Sequence, residues 1–360
     1  MSTWPIYRGN VTPHDAIKEL PPAPRWRRFR GDVLLEWTLE ERSRRQDEHS
    51  RRRGETFYAR EIVIAQVNAA LFLRRPLLVT GNPGTGKSSL AHAIAHELKL
   101  GPVLEWPINS RSTLQDALYR YDAIARLQEA SLREKSNDIN LAATDIGQFL
   151  RLGPLGTALV GSEYPRVLLI DEIDKSDIDL PNDLLTIFEE GWFEIPELAR
   201  LAKQNRERRV EVLIHDSDPK SDDVYVAVTD GRVQCRAFPF TVITSNGERA
   251  LPPAFLRRCI QLRLPDPSRS DLERIVSKHF DPTQPDSEMA AFEDTVSLDQ
   301  IEEVIQILTR RYEDDQSKGG LIATDQLLNA IYLAHSGVDI LQNEQLLKTV
   351  FEHLSRSMRR

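Results

Sequence analysis

Residues 77–88 read LLVTGNPGTGKS, and Ser89 opens the amphipathic run SLAHAIAHEL. Within that stretch Gly81, Asn82, Pro83, Gly84, Thr85, Gly86, Lys87, Ser88 and Ser89 form the candidate site for a nucleoside triphosphate. A short apolar strand, then GxxxxGK[ST], then a helix is the context in which such a loop wraps phosphates. The glycines let the backbone turn tightly, so that successive N–H groups point inward beneath a helix N-terminus. Lys87 would reach the outer phosphates, and the Ser88 hydroxyl would sit on a magnesium ion.

A second constellation is VLLIDEID, residues 167–174. An apolar strand ending in Asp171 and Glu172 sets two carboxylates at the carboxyl edge of a sheet, where open α/β sheets bind ligands. Asp171 is the expected metal ligand beside Ser88. Glu172 is placed to orient or deprotonate a water. That glutamate favours hydrolysis, since phosphoryl transfer to an alcohol does not need a water-activating carboxylate. The strand FPFTVITSN ends in Asn246, an amide able to fix the lytic water, although asparagine is also a common turn residue. Arg257 and Arg258 stand side by side in LPPAFLRRC. Neighbouring arginines are often surface charge, but at this offset one of them suits a finger lent to the active site of a neighbouring subunit.

The elements that must position these residues alternate between strand and helix, as in a parallel α/β sheet. Strands are expected at Leu77–Val79, Val103–Trp106, Val167–Ile170, Phe240–Ser245 and Ile260–Leu264. Helical spacing marks Tyr58–Leu73, and a short helix is expected near Leu34–Arg45. The stretch 113–159 reads as mostly helical, and 206–236 as a polar insertion whose VYVAV run suggests a hairpin. From Ser268 onward, LERIVSKHF, IEEVIQILTRRY, DQLLNAIYLAH and EQLLKTVFEHL carry helical periodicity. The expected organisation is a lead-in rich in arginine and proline (1–55), a nucleotide-binding core (56–266) and a small all-helical domain (267–360).

The chain has 360 residues, 40 % of them hydrophobic and 28 % charged, which suits a soluble protein of two domains. No apolar run approaches the roughly 20 residues of a membrane-spanning helix. The opening MSTWPIYRGN lacks the pattern of a secretory signal. Cys235 and Cys259 have no metal-ligand spacing, so a reducing cytoplasm is the expected compartment. A net charge of −8 argues against wholesale coating of nucleic acid. The arginines near the N-terminus are interleaved with acids and read as a solvated face. Trp26, Phe29 and Trp37 read as anchors onto the core.

In their ordered combination, GNPGTGKS, LLIDEIDKSDIDLPNDLLTIFEEG, ITSNGE and LPPAFLRRC resemble the AAA+ ATPases, specifically the MoxR-like branch. The likeness spans roughly residues 55–335. It implies a P-loop NTPase αβα sandwich with a five-stranded parallel sheet, followed by a helical lid. It implies ATP and Mg²⁺ as ligands, with no guanine-reading NKxD in the sequence. Asp171 and Glu172 then match the Walker B pair, Asn246 matches sensor 1, and Arg257 or Arg258 matches the finger, Arg258 fitting better. The segments 106–153 and 206–236 match the helix-2 and pre-sensor-1 insertions. The family's lid arginine falls in ATDQLL, where this chain has Gln326.

The resemblance also implies a hexameric ring that remodels or activates a protein client, with von Willebrand factor A domain proteins as frequent partners. Two other functions fit parts of the chain: a nucleotide-gated scaffold with little turnover, and a nucleic-acid-associated NTPase.

Overall fold

The computed structural model describes residues 4–136, 146–204, 208–215, 223–279 and 324–336, with isolated positions between 306 and 350. The lead-in carries α1 (Leu39–Arg44) and α2 (Glu48–Glu55), and α3 (Glu61–Leu73) precedes β1 (Leu77–Thr80). Thr38 and Glu41 form a capping box at α1, which starts that helix later than its apolar periodicity suggests. After the phosphate loop come α4 (Ser89–Glu97), β2 (Leu104–Pro107), α5 (Leu114–Leu118), β3 (Tyr119–Tyr121), α6 (Ala123–Ser136), β4 (Leu150–Leu152) and α7 (Pro154–Ala158). Then follow β5 (Val167–Asp171), α8 (Leu180–Glu190), β6 (Trp192–Glu194), α9 (Pro196–Lys203), β7 (Arg209–Leu213), β8 (Tyr225–Thr229) and β9 (Arg232–Gln234). The chain continues through β10 (Phe240–Ser245), α10 (Pro253–Leu256), β11 (Ile260–Arg263), α11 (Arg269–His279) and α12 (Thr324–His335). The expected helices at IEEVIQILTRRY and EQLLKTVFEHL lie largely outside the described residues.

The main sheet has five parallel strands in the order β11-β1-β10-β5-β2. Its inner strands β1, β10 and β5 are almost wholly buried because both of their faces are covered, β1 and β5 as apolar runs and β10 with buried Thr241, Thr244 and Ser245 among its apolar residues. Edge strand β2 alternates buried and exposed residues. The period-2 geometry of the strands divides their side chains between two cores. Leu78, Leu168, Ile170 and Ile243 enter one, while Leu77, Val79, Val167, Leu169 and Val242 enter the other. This is the α/β sandwich expected of the chain, with further helices beyond it. A third, small core joins Leu272 and Val276 of α11 to Leu327, Ala330 and Ile331 of α12.

The described residues of the stretch 113–159 are mostly helical, as expected, but not wholly so. They contribute β3 and β4, which join β7, β8, β9 and β6 in a second sheet of six strands, ordered β3-β4-β7-β8-β9-β6. The two expected insertions therefore meet in one sheet, through the pairing of Arg151 with Leu213. β7 and β8 form the expected antiparallel hairpin. The next turn is Asp230-Gly231, where φ is 53° and 72°, the left-handed pair that a tight two-residue hairpin requires.

Arg42 is buried, so the arginines of the lead-in are not uniformly a solvated face, and apolar residues near its start are enclosed as well. Ile6 and Tyr7 are fully buried. Their amides donate to Asn68 Oδ1, and Asn68 Nδ2 donates to the carbonyls of Tyr7 and Ile64. At the far end of α4, the enclosed Glu97 carboxylate accepts the amides of Arg8, Asn10 and Val11. Of the three aromatic anchors, Phe29 stacks on Phe238 and Trp37 lies beneath Arg45 and Arg166. Trp26 does not anchor, being 78 % exposed.

Candidate active site

Two of the three loop glycines with positive φ solve an identifiable local problem. Gly81 (φ 156°) passes so close to Leu264 that a Cβ would lie 2.7 Å from its carbonyl oxygen. Gly86 (φ 82°) turns the chain into the helix beneath Phe57. Lys87 Nζ donates to the carbonyls of Gly81 (2.9 Å) and Asn82 (2.8 Å), which holds the ammonium over its own loop. Burial pulls the ammonium's pKa down, against the attraction of Asp171, Asp174 and Glu172. A cation short of solvent beside a ring of backbone donors suits a polyanion.

Strand register builds the acidic side. Ile170 pairs with Ile243, which puts Asp171 beside Thr244 on the adjacent strand. Thr244 Oγ1 donates to Asp171 Oδ1 at 2.6 Å and accepts the Glu172 amide at 2.8 Å. Ser88 Oγ donates to the same Asp171 oxygen at 2.7 Å. The chain then turns sharply, with Glu172 in the left-handed region (φ 61°, ψ 51°). A non-glycine residue held there at a strand end is a strained feature of the kind found at functional sites. Asn246 Nδ2 donates to Glu172 Oε1 at 3.2 Å, and Lys175 Nζ to Glu172 Oε2 at 2.6 Å. Asp174 Oδ2 fixes the loop after β10 by accepting the amides of Asn246 (3.1 Å) and Glu248 (2.9 Å).

The structure thus brings Lys87, Ser88, Asp171, Glu172 and Asn246 to one cleft of about 440 Å³. Pro83 to Ser89 floor it, and Phe57, Tyr58, Arg60, Leu264, His279 and Leu328 stand around it. Thr324 and Asp325 at the start of α12 line it as well, while Gln326 is buried and lies outside the lining. Asn82 faces the linker to α11, donating to both oxygens of Asp266 at 2.9 and 3.0 Å. Arg257 and Arg258 are not in this cleft. Arg258 pairs instead with Glu189 on α8 and donates to the Ala254 carbonyl, and the Arg257 carbonyl accepts from Arg75.

Three polar residues, Thr244, Asp174 and Lys175, join the site through hydrogen bonds that the sequence does not announce. Thr244 sits inside a β-branched strand where a threonine needs no special reason. Asp174 reads as one of several helix-capping acids. The signal available for all three is proximity to DEID and ITSN, but only strand register turns it into contacts.

The donors fit a magnesium nucleotide. Asp171 and Ser88 offer a carboxylate and a hydroxyl within 2.7 Å of each other. Magnesium takes oxygen ligands, commonly one or two carboxylates completed by water and substrate phosphates.

Residues 76–259, just over half of the chain, match the family model described as AAA domain (dynein-related subfamily). No curated protein matches the chain. Among the described residues, no helix is long and apolar enough to cross a membrane.

Proposed function

Because the chain belongs to the AAA domain family, in its dynein-related subfamily, we propose that it is a magnesium-dependent ATPase of MoxR type that assembles head-to-tail and remodels a protein client. Family membership carries nucleotide-binding ATPase chemistry as such. The observation that supports the magnesium-dependent ATPase part of the reading is the convergence on Asp171 Oδ1 of Ser88 from the phosphate loop and Thr244 from the next strand, with Glu172 and Asn246 bonded to each other alongside.

In this reading the loop amides from Gly81 to Ser88 and the Lys87 ammonium bind the triphosphate. Ser88 and Asp171 would hold the magnesium ion, which would supply charge neutralisation to the phosphates. Asn246 orients a water, and Glu172 accepts its proton as the water oxygen bonds to the γ-phosphorus and the bond to the ADP oxygen breaks. The absence of Arg257 and Arg258 from the cleft supports a cation delivered from a neighbouring subunit. A finger working in trans requires a heterologous interface, and such interfaces close into rings when the rotation permits. A hexamer, a cytoplasmic location and a client such as a von Willebrand factor A domain protein follow from the MoxR likeness. The domain division at 55 and 266 belongs to the same proposal.

Steady-state ATP hydrolysis over a range of protein concentrations, with magnesium and with chelator, tests the reading. Turnover per chain should rise with assembly, vanish with chelator and vanish in Glu172→Gln. Equal turnover per chain at all concentrations would defeat the shared-site reading.

A further inference from the structure

One wall of the nucleotide cleft comes from the lead-in. Arg53 and Thr56, at the end of α2, line it together with the loop residues Gly86 to Ser89. Both precede residue 76, where the family match begins. Helix α2 is fixed against α4. Asp47 caps it by accepting the Ser50 amide at 2.8 Å. The Ser50 hydroxyl bonds His92 Nδ1 on α4 at 2.7 Å. Gly54 passes so close to α4 that a Cβ there would lie 2.8 Å from the His92 carbonyl oxygen, an approach that suits glycine. His92 stands one helical turn beyond Ser88. Arg53, the residue before Gly54, is thereby held beside the phosphate-facing start of α4.

Arg53 differs from the arginines around it. Arg51 and Arg52 pair with acids of their own helix, Glu55 and Glu48. Arg60 and Lys87 line the same cleft as Arg53, but Arg60 is bonded to Asp271 at 2.7 Å and Lys87 to two carbonyls of its loop. Arg53 makes no hydrogen bond among the described residues. Its ion-pair partner is the half-exposed Glu105 of edge strand β2, at 3.9 Å. That separation is too long for a hydrogen bond, and a pair open to water holds its members weakly. The guanidinium itself is only 30 % exposed. A half-sheltered arginine with its donors uncommitted matches phosphate oxygens, which its planar fork can meet two at a time.

We propose that Arg53 is a phosphate-binding residue of the nucleotide site, supplied in cis by the lead-in helix, and that with a triphosphate in the cleft its guanidinium leaves Glu105 and donates to phosphate oxygens. The proposal rests on the reading of this cleft as an ATP site. It makes α2, which lies outside the matched domain, part of the binding machinery. The contact answers to charge on the phosphate chain, so its loss weakens binding and makes what remains less sensitive to salt.

The test titrates a fluorescent ATP analogue, with magnesium and at low and high salt, into full-length wild type, Arg53→Met, Arg53→Lys, Arg51→Met and Lys87→Ala. Arg53→Met should weaken binding at low salt by about five- to twentyfold, the size expected for one charged hydrogen-bonding contact. Its affinity should also fall less than that of wild type as salt is raised. Arg53→Lys, which keeps the charge and loses the fork, should recover part of the affinity. Arg51→Met, one residue away and outside the cleft, should bind as wild type does. A merely structural arginine would not change the salt dependence or be partly replaced by lysine. The proposal is overturned if Arg53→Met binds as tightly as wild type, if its salt dependence is that of wild type, or if Arg51→Met loses as much affinity. Undiminished binding by Lys87→Ala would instead overturn the reading of the cleft as an ATP site, which that control reads separately.

Discussion

Thr244 and Asp171, on neighbouring parallel strands, share a 2.6 Å hydrogen bond in which the threonine hydroxyl also accepts the amide of Glu172. One buried hydroxyl therefore ties the Asp171 carboxylate to the backbone turn that carries Glu172. Thr244→Val keeps the shape and removes the bonds. It should cost about 1–3 kcal/mol of stability, because a backbone donor is left without its partner. Turnover should fall by about tenfold or more, since misaligned catalytic groups are penalised steeply. Urea unfolding and ATP hydrolysis on the same preparation check both; unchanged values in either would show that Thr244 does not position the pair.

Lys87 and Glu172 should separate binding from cleavage. Lys87→Ala should weaken ATP binding by at least about tenfold, since it removes a charge-assisted contact to the phosphates. Glu172→Gln should leave binding intact while turnover drops by about 100-fold or more. Titration with a fluorescent ATP analogue beside a phosphate-release assay distinguishes the two. Loss of binding in Glu172→Gln would contradict the assignment.

Arg258 bonds to Glu189 within its own chain, on an exposed surface away from the nucleotide cleft. As a finger in trans it must leave that partner. Arg258→Ala should spare ATP binding by dilute protein and lower assembled turnover by about 10³-fold or more. Arg257→Ala should be mild. The reverse pattern in concentration-dependent hydrolysis would transfer the role to Arg257.

His92 on α4 is fully enclosed, with its Nδ1 2.7 Å from Ser50 Oγ. Burial pushes its imidazolium pKa down to about 4. The unfolded chain therefore takes up this proton first as acid is added. Its contribution to stability is fully present above about pH 6.5 and is lost as pH falls towards 4. The whole span is worth on the order of 3 kcal/mol. Buried His96 is displaced in the same direction. Urea midpoints at pH 7.5 and 5 should fall more in wild type than in His92→Gln; parallel declines would refute the point.

The main sheet was legible because β1 and β5 open on apolar runs and β10 is rich in apolar and β-branched residues, and the phosphate loop because its glycines, lysine and serine lie within eight residues. Other features depend on residues distant in sequence. β3 and β4 are three residues each, YRY and LRL, too short to show a period, and they become strands only by pairing with each other and with β7. Asp230-Gly231 was the readable mark of the β8–β9 turn. In the lead-in, Ile6 and Tyr7 are ordered by Asn68, sixty-odd residues downstream. No local pattern in MSTWPIYRGN announces that side chain. Gln326 stands where the resemblance sought a lid arginine, yet the chain's path turns Thr324 and Asp325 towards the cleft instead.

Helix α4 begins at the phosphate loop and ends at Glu97, nine residues and about 13 Å later. Glu97 accepts hydrogen bonds at that end from the amides of residues 8, 10 and 11. Trimming what looks like a dispensable tail, a routine step in preparing a protein for expression, would strand an anion in an apolar interior at the back of the triphosphate cradle. A deletion of that kind, made for convenience, would register as damage to ATP handling in residues it never touched.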